Sequence, residues 1–499
     1  MPETLKKNTP ETPKPKTSQG VSKNITFKIA GKSYPCKVSA EWMPLFNKEE
    51  KVIAEMYHTA YTLPQAKGKK SGRPLTFIFN GGPGAASAYL HLGAMGPMRV
   101  AFGDKGEIQG EPTQLVPNDE SWLSFSDLVF IDPIGTGLSR TIPKDASDPV
   151  NKDLTKLHEH EKEYFQMNRD LKSIGEFVES YLSKHQRWGD PIYIAGESYG
   201  GFRVAKLAKL LQEGFGVGLC GAILISPALE WSTLSPNDYD TIGWVDLFPS
   251  MALAAFTHGR SKFKKSSFEK VLKDACEFAD SDYATFLLRG DDLGSKEQDR
   301  ILEKMADFLG LKKEYVQSKN GRIHFPEFCR ELLRDQKKVA GFYDATITCD
   351  DAFPARDVSP GPDPTLFAIE RVFSTGINKL LRQEIGLKTE RAYQLLSMEV
   401  NRAWKVDEQR HAFDLYVGAS DDLRYAMSLN ENLKVYLTHG FYDLVTPFHA
   451  ADRIARLMRL SPKARARLTL KHYEGGHMFY SWDESRKAFT KDLEKFYKS

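Results

Sequence analysis

Residues 192–211 read IYIAGESYGGFRVAKLAKLL. The first four, Ile192-Tyr193-Ile194-Ala195, form a short unbroken apolar run. Such a run suits a strand buried on both faces and is too short for a helix. It stops at Gly196-Glu197-Ser198-Tyr199-Gly200, followed by Gly201. Beyond the glycines, Val204, Leu207, Leu210 and Leu211 recur at helical spacing. Between a strand and a helix, G-x-S-x-G places a serine on a crowded turn with its hydroxyl clear of the sheet. The competing reading is a glycine-rich turn whose serine caps the helix.

Working outward, the same punctuation recurs. PLTFIF (74–79) ends at Asn80-Gly81-Gly82-Pro83-Gly84, and LVFI (128–131) at Asp132-Pro133. AILI (222–225) ends at Ser226-Pro227, and LKVYL (433–437) just before His439-Gly440. A last run begins at 468–470 and ends at Gly475-Gly476. Helical spacing lies between runs, as at Ile174, Phe177, Val178, Tyr181 and Leu182. Strand–helix alternation predicts right-handed crossovers and a mostly parallel sheet. Upstream, alternating residues at 25–29 and 34–38 flank Gly31-Lys32 and predict a hairpin, with a further strand at 52–63.

The alternation fails between about Trp231 and Ser428. Charged helical segments at 267–278 and 295–309 and a proline-rich loop at 354–364 take its place. The expected organisation is a flexible tail at 1–22, a catalytic domain from 23–235 and 429–499, and a helical cap insertion at 236–428. No internal repeat is visible.

Composition narrows the classes. The chain has 499 residues, 41% hydrophobic and 11% aromatic, enough for a sizeable core. Lys+Arg is 69 and Asp+Glu 66, a net charge of +3 that offers no global attraction to nucleic acid or anionic membrane. No stretch reaches about 18 consecutive apolar residues, so no membrane-spanning helix is expected. The first twenty residues carry charge, threonine and proline with no apolar segment, unlike a secretory signal. Five cysteines, an odd number with no C-x-x-C pair, argue against a disulfide framework or a zinc ribbon. The expectation is a cytoplasmic protein in a reducing compartment.

A serine hydroxyl is a poor nucleophile near neutrality and needs a base, which needs an orienting carboxylate. On this kind of sheet the chain order is Ser, then Asp or Glu, then His. His411, His439, His449, His472 and His477 follow residue 400. His477 comes just after the last strand in Gly475-Gly476-His477-Met478, where glycines let a loop bring an imidazole over the sheet. His449 reads as a surface helix position and His472 as part of the strand. Asp443 follows the preceding strand in Gly440-Phe441-Tyr442-Asp443; the alternative for it is a turn-forming Asp. Acyl transfer also needs oxyanion donors, and the Tyr199 N–H with the glycine loop after Phe79 can supply them.

These stretches together resemble the serine carboxypeptidases. NGGPGAASAYLHLGAMGP (80–97), FIDPIGTGLS (130–139), IAGESYGG (194–201), the G-x-x-D loop and GGHM are collinear with that family, as are Asn118, Ser121 and Trp122. The resemblance implies an α/β-hydrolase fold with a mostly parallel central sheet and a helical cap insertion. It implies Ser198 as nucleophile, Asp443 and His477 as its partners, and the Gly82 and Tyr199 N–H groups as oxyanion hole. It implies that Asn80, the Gly81 N–H and Glu197 receive the terminal carboxylate of a peptide substrate. Two positions depart from the pattern. Ala94 stands where the family has a second glutamate that shares a proton with Glu197, and Ala85 where it has a disulfide cysteine. Without the second carboxyl, Glu197 is expected to ionise more readily; either a basic residue of the Arg- and Lys-rich cap then takes over carboxylate binding, the outcome expected here, or the enzyme prefers amidated, esterified or otherwise uncharged C-termini near neutral pH.

The expected function is a serine-type carboxypeptidase-like hydrolase acting through an acyl-enzyme on Ser198, with no cofactor or metal and no nucleic-acid or membrane partner. The alternative is an acyltransferase or esterase of the same family acting on non-peptide esters. A silent binding module would have a broken triad, and none is broken. His158-Glu159-His160 lacks the i, i+4 spacing of H-E-x-x-H. SKFKK (261–265) has too few aromatics for base stacking, and no P-loop is present.

Overall fold

A computed structural model of the chain describes residues 18–64, 72–110, 112–142, 159–356, 361, 363–406 and 416–499. Residues 1–17 of the expected tail, His158 and His411 lie outside the described residues, as does part of the 354–364 loop.

One mixed sheet organises the described chain. From one edge its order is Val21–Ile29, Lys32–Phe46, Val52–Thr62, Asp127–Ile131, Leu75–Phe79, Ile192–Glu197, Leu219–Ile225, Lys434–Thr438 and Leu468–Leu470. The first three are antiparallel, and Val52–Thr62 also pairs antiparallel with Asp127–Ile131. From Asp127–Ile131 to the far edge every pairing is parallel. The upstream hairpin turns at Ala30-Gly31, with Ile29 opposite Lys32.

The unbroken apolar runs are strands because both faces are covered. Leu75–Phe79, Asp127–Ile131 and Ile192–Glu197 are buried at every position. Side-chain alternation splits them between two cores. Phe77, Phe79, Ile192 and Ile194 face helices Met167–Lys184 and Tyr199–Gly214 through Phe177, Val178, Leu207 and Leu211. Ile78, Tyr193 and Ala195 point the other way, toward Phe489, Leu493 and Phe496 of helix Asp483–Lys498. A parallel sheet sandwiched this way, with a G-x-S-x-G turn at the end of a central strand, is the α/β-hydrolase fold.

Within 236–428 the described chain is mainly helical, with a short hairpin of Lys338–Ala340 and Thr348–Asp350. Helices Ile242–Thr257, Phe268–Phe278 and Ser295–Leu309 share a third core around Trp244, Phe248, Phe278 and Phe308. Tyr442, Leu444, Phe448 and Trp482 enter that core from the sheet side. Two helices of the same stretch pack elsewhere: Pro364–Lys379 inserts Ile369, Val372 and Phe373 into the second sheet core, and Ser420–Leu429 lays Leu423, Ala426 and Met427 on the first.

Candidate active site

Ser198 sits between strand Ile192–Glu197 and helix Tyr199–Gly214 with φ 61° and ψ −126°. A non-glycine residue there is strained, and the surroundings hold it. Its N–H donates to the Ile225 carbonyl at 2.9 Å, and its own carbonyl accepts from Gly201 (2.9 Å) and Ala228 (3.2 Å). Its side chain makes no capping bond to the helix, so the turn presents the hydroxyl rather than using it as a cap. The turn is crowded as the glycines required: a Cβ on Gly200 would lie 2.6 Å from the Phe79 carbonyl oxygen.

Asp443 and His477 come together from loops after the last two strands. His477 Nδ1 lies 2.7 Å from Asp443 Oδ2. The carboxylate is fully buried and fixed from several sides. Val445 and Thr446 N–H donate to Oδ1 at 2.8 and 3.0 Å, and the Thr446 hydroxyl lies 2.7 Å from Oδ2. His477 is held by its N–H to the Tyr343 carbonyl at 2.5 Å, and its carbonyl accepts from Ser226 Oγ at 2.8 Å. Burial works against an imidazolium, but Asp443 outweighs it and raises the His477 pKa above the usual histidine value. An Nδ1–H bound to Asp443 leaves Nε2 as the free base.

The other late histidines are committed elsewhere. His439 Nδ1 lies 2.9 Å from the Thr446 carbonyl, and burial pushes its pKa down to about 3. His449 is not a surface position: it is buried, with Nε2 2.8 Å from Asp280 of the cap. His472 lies beyond the strand, which ends at Leu470, and bonds Asp452 at 3.1 Å.

The glycine loop after Phe79 packs directly on the serine turn. A Cβ on Gly81 would stand 2.5 Å from the Tyr199 nitrogen and 2.7 Å from the Gly200 nitrogen. Gly82 has φ +98°, a conformation open to glycine. Asn80 is buried; its Oδ1 accepts from Leu90 N–H at 3.0 Å and its amide donates to Glu197 Oε2. Below it, Arg203 donates to the Asn80 carbonyl at 2.7 Å and clasps Asp170 at 2.7 and 3.0 Å.

Glu197 corrects the expectation drawn from Ala94. Burial pushes its carboxyl up to about 7, against the lowering influence of His477, Tyr480 and Asn80. Desolvation, with the Asp443 charge adding to it, therefore takes the place of the like charge that a second carboxyl would supply. Its hydrogen-bond partners are Asn80 and the Tyr480 hydroxyl, which donates to Oε1 at 2.8 Å. Ala94 itself is buried, and Asn118 and Ser121 fix its segment. The Asn118 amide donates to the Ala94 and Gly96 carbonyls at 2.8 Å each, and Ser121 Oγ to the Met95 carbonyl at 2.9 Å.

Tyr480, Thr446, Ser226 and the Arg203–Asp170 pair were not evident in the sequence. The one available signal was proximity of Tyr480 to His477 in GGHMFY. Among the described residues no cluster of three or more His, Cys, Asp or Glu could hold a metal ion. Phe263 of the SKFKK run packs its ring 4.5 Å from that of Phe308, against the cap core.

A family model described as serine carboxypeptidase matches residues 47–491. Serine carboxypeptidase-like 5 of Arabidopsis thaliana is 30% identical over 143 residues, 28% of this chain and 28% of that protein. Retinoid-inducible serine carboxypeptidase of Mus musculus is 28% identical over 205 residues, 40% of this chain and 38% of that protein. These stretches span well under two thirds of either relative. The solved proline iminopeptidase of Mycobacterium smegmatis aligns with TM-score 0.37 and 10% identity, over 92% of this chain and 98% of that one. The family match, by contrast, spans the glycine loop, the serine turn, Asp443 and His477 in one alignment, and on it this chain belongs to the serine carboxypeptidase family.

Proposed function

We propose that this chain is a serine-type carboxypeptidase that releases C-terminal residues from peptides. The observation that carries the reading is the buried Asp443–His477 pair at 2.7 Å, tied through Ser226 to the strand end that holds Ser198 at φ 61°. In this reading Ser198 Oγ attacks the last peptide carbonyl while His477 Nε2 takes its proton. Asp443 stabilises the resulting imidazolium and keeps the ring in the working tautomer. The Gly82 and Tyr199 N–H groups receive the oxyanion. His477 then protonates the leaving amine, the C–N bond breaks, and water resolves the acyl-enzyme by the same acid–base route. Asn80, the Gly81 N–H and Glu197 receive the substrate's terminal carboxylate. The five free cysteines support a reducing compartment, and we place the protein in the cytoplasm on that ground.

One observation favours a second reading. Ala94 supplies no second carboxyl, which suits an esterase or acyltransferase in which an alcohol replaces water. A panel of blocked dipeptides, matched simple esters and added alcohols separates the two. The carboxypeptidase reading requires release of the free C-terminal amino acid, and it fails if only esters turn over. Loss of fluorophosphonate labelling in Ser198→Ala checks the nucleophile independently.

A further inference from the structure

Glu197 is a buried carboxyl beside the serine turn, and both its oxygens are already held: Oε2 by the Asn80 amide and Oε1 by the Tyr480 hydroxyl at 2.8 Å. Tyr480 reaches it from the single helical turn Phe479–Ser481, just after His477. Its ring presses on the segment that carries Ala94: a Cβ on Gly93 would lie 2.6 Å from Tyr480 Cε2. The phenol of Tyr480 thus packs between the Gly93 segment and Glu197.

Tyr89 is likewise buried, 5% exposed. The remaining groups bearing on Glu197 are His477 and Asp443 from the strand-end loops and Tyr343 from the cap.

The chemistry of a phenol differs from that of a second carboxyl. Burial and Glu197 drive the Tyr480 pKa well above its usual value, so it donates throughout the neutral range. A fixed donor favours the ionised form of its acceptor, whereas burial favours the neutral form. While neutral, Glu197 can itself donate to an anion; once ionised, it repels one.

We propose that Tyr480 is a positioning residue for terminal-carboxylate recognition: its phenol, packed against Gly93, holds the Glu197 carboxyl. This rests on the carboxypeptidase reading above.

The test compares the free acid and the methyl ester of one blocked dipeptide from pH 5 to 9, reading the free-acid to ester ratio of kcat/KM. In wild type this ratio falls as Glu197 ionises. Tyr480→Phe removes the donor that favours ionisation, so the fall moves to a pH about 0.5–1 unit higher. Difluorotyrosine placed at residue 480 is a stronger donor and moves the fall the other way, which covers the case in which the Phe variant fails to fold. A ratio with the wild-type pH dependence in the residue-480 variants overturns the proposal. If wild type cleaves the ester but never the free acid, the carboxypeptidase reading has failed instead. The infrared carboxyl band of Glu197, assigned with Glu197→Gln, then judges Tyr480 alone: its pH transition must still move in Tyr480→Phe.

Discussion

Arg203 clasps Asp170 through two hydrogen bonds, 2.7 and 3.0 Å, with both side chains at most 3% exposed, and spends a third donor on the Asn80 carbonyl. The pair joins helix Met167–Lys184 to helix Tyr199–Gly214 directly beneath the residue that holds Glu197. The Arg203 guanidinium also lies over the Tyr199 ring at 4.7 Å. Scaffold and site are therefore one network at this point.

Breaking that pair leaves one buried charge unanswered. Asp170→Leu should lower stability by about 3–5 kcal/mol, the usual loss when one partner of a buried ion pair is removed. Removing both charges, with Arg203→Met added, should recover part of the loss. Urea midpoints of the two variants measure this. A single variant within about 1 kcal/mol of wild type would show that the pair contributes little.

Ser198→Ala should abolish turnover while leaving the fold intact, with a loss on the order of 10⁴ to 10⁶ in kcat. Asp443→Asn and His477→Ala should each lose much of the rate, and the double variant little more, because groups acting as a unit are not additive. Additive losses would argue against a shared triad. Retention of more than about a tenth of the activity in Ser198→Ala would mean the wrong serine.

Two titrations set the expected pH profile. His477 must be neutral to act as base, and Asp443 raises its pKa above the usual histidine value, so activity falls on the acid side as pH drops through that raised value. Glu197 must be protonated to meet a carboxylate, and burial holds its pKa up at about 7, so free-acid turnover falls on the alkaline side as pH rises through it. Free-acid peptides should give a narrow bell centred near neutrality, and their esters only the acid limb. Glu197→Gln, permanently neutral, should remove the alkaline limb. A wild-type maximum near pH 4 to 5 would contradict this, because an imidazole is protonated there.

Much of this site was legible in the sequence because the three residues proposed to react sit where strands stop. The run before Ser198 is buried throughout and meets Gly196, and the one before Asp443 is buried from Val435 and stops shortly before Gly440; the last strand has Thr469 exposed, and the Gly475-Gly476 pair after it is what marks His477. What escaped reading depends on distant neighbours. Arg203 lies in a helix beside Lys206 and Lys209 and looks solvated, yet its partner Asp170 is 33 residues away. Tyr480 stands in a Phe-Tyr pair that reads as core, and only the fold brings it to Glu197, 283 residues distant. His449 looks exposed until Asp280 of the cap covers it. Burial of Glu197 is likewise a tertiary property, and it offsets the easier ionisation inferred from Ala94.

Reducing agents should leave activity and Tm unchanged. The cysteines are all free, and Cys36 and Cys329 are buried. Burial drives the Cys36 thiol up to about 12 and the Cys329 thiol well above its usual value, which keeps both unreactive. A Tm drop of several degrees with dithiothreitol, or a mass showing a disulfide, would remove the ground for placing the protein in a reducing compartment.

The glycine loop offers the sharpest steric test. A methyl group on Gly81 would lie 2.5 Å from the Tyr199 nitrogen and 2.7 Å from the Glu197 oxygen and the Gly200 nitrogen, all backbone atoms of the serine turn. Backbone cannot swing aside as a side chain can, so Gly81→Ala must push the loop off the turn. That separates the Gly82 and Tyr199 N–H groups, the two proposed oxyanion donors. Losing one such donor typically lowers kcat by 10² to 10³, and the variant should lose on the order of 10² or more. Fluorophosphonate labelling of Ser198 should slow with it, since the reagent also develops charge on an oxygen held there. Gly189→Ala is the matched control: a Cβ there meets nothing within 4 Å, and activity should match wild type. A Gly81→Ala enzyme within about threefold of wild type would mean that the loop does not supply an oxyanion donor at all.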